Sequence, residues 1–186
     1  LIVPDPKGRH GNRPCRAQFM HCLISGRTPT AERVWDMQRI IDWAWDHPLV
    51  DQKKIIMTGN SGGGVLTAYT AAIDDRIRVA VPSCSFTSVT SSEGFIFHCD
   101  CCAIPGIRDW GDWTELGALI APRDLLIVHG VSDGLHHKED VENTASKIRD
   151  IYLGLGFRNR MNMKWGNSGH KFYPKIMWPF IGKALQ

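Results

Sequence analysis

No apolar stretch in the 186-residue sequence approaches the ~20 residues that a membrane-spanning helix needs. No run of Lys and Arg is present either. The 22 basic and 19 acidic residues nearly cancel, to a net charge of +3, and the basic ones are scattered. That balance argues against a nucleic acid or an anionic membrane as partner. The glycine-rich turn at 59–64 is not closed by Lys-Ser or Lys-Thr, so it is no P-loop, and its glycines lack the G-x-G-x-x-G spacing of a dinucleotide site. Leu1 to Pro4 is too short for the apolar segment of a signal peptide. The chain does not begin with Met and opens in a strand-like run, so an upstream segment is expected.

What is there fits one globular domain over residues 1–186, with 43% hydrophobic and 22% charged residues. Leu1-Ile2-Val3 reads as the end of a buried strand, and Lys7 to Pro14 as loop. A helix is expected from an N-cap at Thr30 to about His47, with Val34, Met37, Ile41, Ala44 and Trp45 at helical spacing. Trp35, Trp43 and Trp45 on that helix read as core. Further strands are expected at Lys54–Thr58, Ile77–Val81, Leu125–Val128 and Met161–Trp165. Helices are expected at about 63–73, 138–155 and 172–185, the last interrupted by Pro179. Between about 82 and 118 the periodicity breaks, which reads as an insertion over the sheet. Strands alternating with helices predict an α/β fold, a mostly parallel sheet with helices on both faces. In such a sheet, ligands bind at the carboxyl ends of the strands.

Gly59-Asn60-Ser61-Gly62-Gly63 has the G-x-S-x-G pattern and sits between a strand and a helix. That setting places a serine on a sharp, exposed turn, where Ser61 can act as a nucleophile. The N–H of Gly62, at the helix start, is placed to stabilise an oxyanion. A serine needs a base, and the base needs an orienting acid. For such a serine the chain order is Ser, acid, His. Asp133 follows the strand that ends near His129, and His170 follows the strand that ends at Trp165. Both therefore belong at the same sheet edge as Ser61. Asp124 precedes its strand and belongs at the opposite edge. Glu139 and Asp140 open a helix, where acidic residues suit the dipole. His136 and His137 read as surface or loop residues, and His129 as packed within its strand.

These residues together resemble the α/β-hydrolase superfamily, within it the dienelactone-hydrolase and acetyl xylan esterase-like branch. The segments that carry the resemblance are Glu32-Arg33-Val34-Trp35-Asp36, Gly59 to Gly64, Asp75-Arg76-Ile77 with Ala80-Val81-Pro82-Ser83, Ile120-Ala121-Pro122-Arg123, and Gly169-His170-Lys171-Phe172-Tyr173. The resemblance implies an α/β-hydrolase fold with Ser61, Asp133 and His170 as the triad. It also implies further strands and a loop upstream of Leu1, the loop supplying a second oxyanion N–H. One of those strands would lie inside the sheet. A fragment, or a chain that needs its N-terminal part to fold, is therefore expected, weakly active or inactive on its own.

His98-Cys99-Asp100-Cys101-Cys102 invites a metal reading, but its spacings fit the C-x₂₋₄-C pairs of zinc sites poorly. Small buried residues or a local disulfide are the expectation there, and no metal. Phe86, Phe95, Phe97, Trp110 and Trp113 either line a substrate pocket or anchor the long loop. The reading as a whole is a carboxylic ester hydrolase without a metal or organic cofactor, its substrate a small-molecule or carbohydrate ester. Two alternatives stand beside it: a serine peptidase of the prolyl oligopeptidase kind, and a non-catalytic domain of the same fold.

Overall fold

The computed structural model describes residues 14–91, 94–95 and 99–186. The expected strand at Leu1–Val3 lies outside them. Two helices come first, α1 (Pro14–Ile24) and α2 (Pro29–Trp45). The remainder runs β1 (Ile56–Asn60), α3 (Gly62–Ile73), β2 (Val79–Ser83), a small ladder of β3 (Thr90–Ser91) and β4 (Gly94–Phe95), α4 (Ile107–Trp110), α5 (Trp113–Ile120), β5 (Asp124–Gly130), α6 (Lys138–Gly154), β6 (Met161–Gly166) and α7 (Pro174–Ala184). The larger sheet has the order β1-β2-β5-β6, every pair parallel.

The sheet is covered on both sides, and alternating residues of its central strands choose the side. Ala80, Leu125 and Ile127 meet Val65 and Ala68 of α3, Leu116 and Ile120 of α5, and Ile148 and Tyr152 of α6. Val79, Val81, Leu126 and Val128 meet Met177 and Ile181 of α7. β2 and β5 are buried along their whole length, as strands covered on both faces must be. The β2–β5 pairing is interrupted at Val81 and Pro82, where Pro82 has no N–H to give.

Several sequence expectations shift. α2 is capped by Thr28, whose hydroxyl accepts from Ala31 N–H at 3.1 Å, with Pro29 at the first helical position. Thr30 is instead buried and donates to the Cys101 carbonyl at 3.1 Å. The buried stripe of α2 is Thr30, Val34 and Ile41. Trp35 and Trp43 fall off it and are exposed, not core. The irregular stretch is shorter than 82–118, because β2 runs through Ser83 and α5 begins at Trp113. Asp112 anchors its far end by accepting from Trp113 N–H, Val89 N–H and the Ser88 hydroxyl, at 2.7, 3.0 and 2.6 Å.

Candidate active site

Between β1 and α3 a single residue, Ser61, turns the chain. Its φ of +56° lies where L residues carry strain. Its N–H donates to the Ser83 carbonyl and its carbonyl accepts from Val65 N–H, both at 2.9 Å, so the strained residue is held on each side. Ser61 stands at the N-cap of α3, yet its hydroxyl makes no capping bond. The tightness of the turn demands two glycines. A Cβ on Gly59 would collide with the Gly63 backbone, and one on Gly64 with the Ser85 hydroxyl and the Ser83 carbonyl. Gly62 N–H opens α3, where helical N–H groups lack helical partners.

Asp133 and His170 reach this edge from β5 and β6. Their loops are sewn together by backbone bonds: Val131 N–H to Gly166 O at 2.9 Å and Ser132 N–H to Ser168 O at 3.2 Å. The Tyr173 hydroxyl donates to Gly169 O at 2.5 Å, and its ring lies where a Cβ on Gly166 would be. His170 Nδ1 lies 2.9 Å from Asp133 Oδ2, and Leu135 N–H donates to Asp133 Oδ1 at 3.1 Å. A carboxylate only accepts, so His170 Nδ1 carries its proton and Nε2 is left with a lone pair. The Asp133 side chain is 1% exposed and that of His170 27%, which buries the acid and leaves the imidazole reachable. Burial by itself would raise the Asp133 carboxyl. The bond from His170, the Leu135 N–H and the nearby imidazoles outweigh it and hold the group below its ordinary range.

Ser61, Gly62 and His170 line one cavity of about 480 Å³. Its other walls include Cys84, His136, Arg33 and the cysteines Cys15, Cys99, Cys101 and Cys102.

A match to the prolyl oligopeptidase family runs over residues 24–174, a span that includes Ser61, Asp133 and His170. The chain belongs to the prolyl oligopeptidase family. Its architecture is that of the α/β-hydrolases, as the sequence predicts. A Bacillus subtilis protein named "Putative hydrolase YtaP" is 28% identical to this family member over 171 residues, 86% of this chain and 56% of that protein. A carbohydrate esterase family 15 glucuronoyl esterase from Caldicellulosiruptor kristjansonii superposes with a TM-score of 0.64 at 24% identity, covering 81% of this chain and 48% of that one. Methylesterase BT1017 gives 0.68 at 23%, covering 84% and 36%. This prolyl oligopeptidase family chain thus spans about half the length of the relatives it matches, or less.

Around the site of this family member, the structure moves several residues from where the sequence puts them. His136 is buried, not on the surface, and its Nε2 lies 3.2 Å from the Cys84 carbonyl. Burial pushes its pKa below the ordinary histidine value. Cys84 was missed. It has a φ of +49° and is, with Ser61, one of the two non-glycine residues of positive φ among those described. No sequence signal marks it, because its place follows from where β2 ends. Phe86 is fully buried and packs edge-to-face on Trp113 at 4.9 Å, so these two rings anchor the irregular stretch to the core and do not line the Ser61 cavity. Trp113 also borders a second, largely apolar cavity of about 270 Å³, which shares Cys99 and Cys102 with the first. Trp110 is exposed and lines neither. Phe97 lies outside the described residues, as does the side chain of Phe95. His129 is packed in β5 as expected. All six cysteines are free thiols, so the local disulfide is not formed.

Proposed function

We propose that this chain hydrolyses carboxylic esters through an acyl-enzyme, with Ser61 as nucleophile. The observation that carries the reading is the 2.9 Å His170–Asp133 pair beside a cavity that Ser61 also lines. His170 Nε2 takes the Ser61 hydroxyl proton as Oγ attacks the ester carbonyl carbon. Gly62 N–H donates to the oxygen that becomes negative. Asp133, ionised at neutral pH, keeps the imidazole in its tautomer and steadies the imidazolium. The intermediate then collapses and the alcohol leaves with the proton held by His170. Water attacks the acyl-serine and gives its proton to His170, which returns it to Ser61 Oγ as the C–Oγ bond breaks and the carboxylic acid departs. These steps call on no metal or organic cofactor.

The substrate is a small-molecule or carbohydrate ester. The structural neighbours, a glucuronoyl esterase and a methylesterase, set sugar-acid esters first among the compounds to screen, beside acetylated sugars. The second reading is a serine peptidase, which the family match itself favours.

Labelling with a fluorophosphonate probe tests the serine. The parent chain is expected to label and Ser61→Ala is expected not to, with ester turnover lower by on the order of 10⁴-fold or more. A folded parent chain that takes no label sinks the reading. Labelling with cleavage of peptide amides but not of methyl or acetyl esters transfers it to the peptidase.

A further inference from the structure

We propose that Cys15, Cys99 and Cys101 form a binding site for a thiophilic cation of the zinc type on the wall of the Ser61 cavity. Their sulfur atoms all lie within 4.8 Å of one another. Cys15 comes from α1, and Cys99 and Cys101 from the turn around 99–102, against which α1 packs. The third thiol is what the local spacing lacked. Two other clusters of donor atoms include Asp133, but both its oxygens are already taken, by His170 and Leu135 N–H.

The turn is held in shape before any ion arrives. Cys102 N–H donates to Cys99 O at 2.8 Å, and the Thr30 hydroxyl donates to Cys101 O. Arg33 donates through Nη1 to Cys101 Sγ at 3.2 Å and through Nη2 to Gln18 of α1 at 2.8 Å, so one side chain spans both ligand-bearing elements. Charge fits as well. Three thiolates around a dication leave one surplus negative charge, and the Arg33 guanidinium lies against it. Tetrahedral zinc, with Zn–S near 2.3 Å, sets its sulfurs about 3.8 Å apart, so the three need to close by no more than about 1 Å. Sulfur donors favour zinc or copper(I) over magnesium or calcium. Binding forms three S–metal bonds, and the thiol protons pass to solvent. The fourth position opens on the cavity that all three cysteines line. Bound there, the ion staples α1 to the turn and stiffens one wall of the Ser61 cavity.

The test is a titration of the reduced, chelator-stripped whole chain with Cd²⁺, read by the sulfur-to-cadmium charge-transfer band, then competition with Zn²⁺. One equivalent per chain is expected, displaced by zinc, with a zinc-dependent rise in melting temperature. Affinity should fall at least tenfold in Cys15→Ser and Cys99→Ser and be unchanged in Cys22→Ser, whose sulfur bonds Glu32 outside the cluster. Cys99 is exposed, so its variant keeps the test open if Cys101→Ser fails to fold. No stoichiometric band in the reduced parent chain overturns the proposal. So does a band that survives both Cys15→Ser and Cys99→Ser, or a disulfide among the three that persists while the reduced chain takes up no metal. None of these readouts uses an ester, so this result and that for Ser61 stand apart.

Discussion

At the amino end of the sheet, Arg123 donates to the carbonyls of Ala71, Asp74, Ile77 and Leu119, at 2.6 to 3.2 Å. Beside it, Arg76 clamps Asp74 at 2.6 Å and Asp42 at 2.7 Å. At the carboxyl end, the groups in comparable positions are a strained serine, a strained cysteine, two imidazoles and a buried carboxylate. Guanidinium keeps its charge at any ordinary pH, and its partners Asp74 and Asp42 are carboxylates, so the first end holds its charges through the neutral range. Imidazole changes charge near neutrality, and Ser61 sits in backbone strain that its neighbours must hold. The same sheet thus gathers groups of lasting charge at one end and groups that titrate nearer neutrality at the other.

The sharpest way to break this comparison is Asp133→Asn, which keeps the shape but removes the charge that fixes the His170 tautomer. Ester turnover should fall about 10³- to 10⁴-fold with little change in melting temperature, checked by steady-state kinetics beside a thermal scan. A fall of only a few-fold would mean that the pair is structural.

Next in size is Arg123→Ala. It strips four carbonyls of a donor and should cost about 3 kcal/mol in urea unfolding, while the fraction that remains folded keeps its turnover per molecule. An equal loss in both measurements would join the two ends functionally.

The pH response divides the ends more finely. Burial holds His136 below its ordinary 6.5, so the unfolded chain takes up that proton first. The stability that comes from neutral His136 is full above 6.5 and is lost as pH falls through the lower folded-state value. Asp133, also depressed, contributes above its ordinary 3.8, and that share is lost as pH falls through its folded-state value. Urea midpoints followed downward from about pH 7 should therefore start to drop just below 6.5, and His136→Gln should flatten that first drop. A parent curve that stays level to about pH 5 would refute it.

The smallest effect belongs to Trp43→Ala. The ring is exposed and meets His47 at a tilted 4.9 Å contact, so the change should stay within about 0.5 kcal/mol in the same assay. A core tryptophan would cost several times more.

How much of this could be read beforehand follows the strength of each local signal. The strand–turn–helix at Ser61 announces itself because only glycines fit where backbones crowd, at Gly59 and Gly64. The placing of Asp133 and His170 at one sheet edge was legible because each follows an expected strand, Leu125–Val128 plainly apolar and Met161–Trp165 alternating. The first two strands slid by two residues, β1 being Ile56–Asn60 against an expected Lys54–Thr58 and β2 Val79–Ser83 against Ile77–Val81, since pairing and not apolarity sets the boundary, while β6 starts at Met161 as expected. α1 escaped notice because Cys22 is its one buried residue among those whose burial is described, so it carries no apolar stripe. Trp35 and Trp43 misled because large apolar rings on a helix were read as core from their size, although their positions fall away from the buried stripe of Thr30, Val34 and Ile41. The burial of His136 and the meeting of Cys15 with Cys99 and Cys101 belong to tertiary structure, and no local pattern encodes either.

The backbone stitching between the 131–132 and 166–168 segments has an engineering consequence. Asp133 and His170 are spaced by main-chain bonds between the loops that follow two adjacent strands, not by anything contributed from 88–112, while Cys84 stays with the scaffold through its bond to the Lys171 carbonyl. That intervening stretch can be exchanged for one of different length and lining, as in loop grafting, while the His170–Asp133 separation is inherited unchanged from the scaffold. Part of the cavity wall and the His170–Asp133 pair are in this sense written on separate parts of the chain, and variants of one can be shuffled against a constant copy of the other.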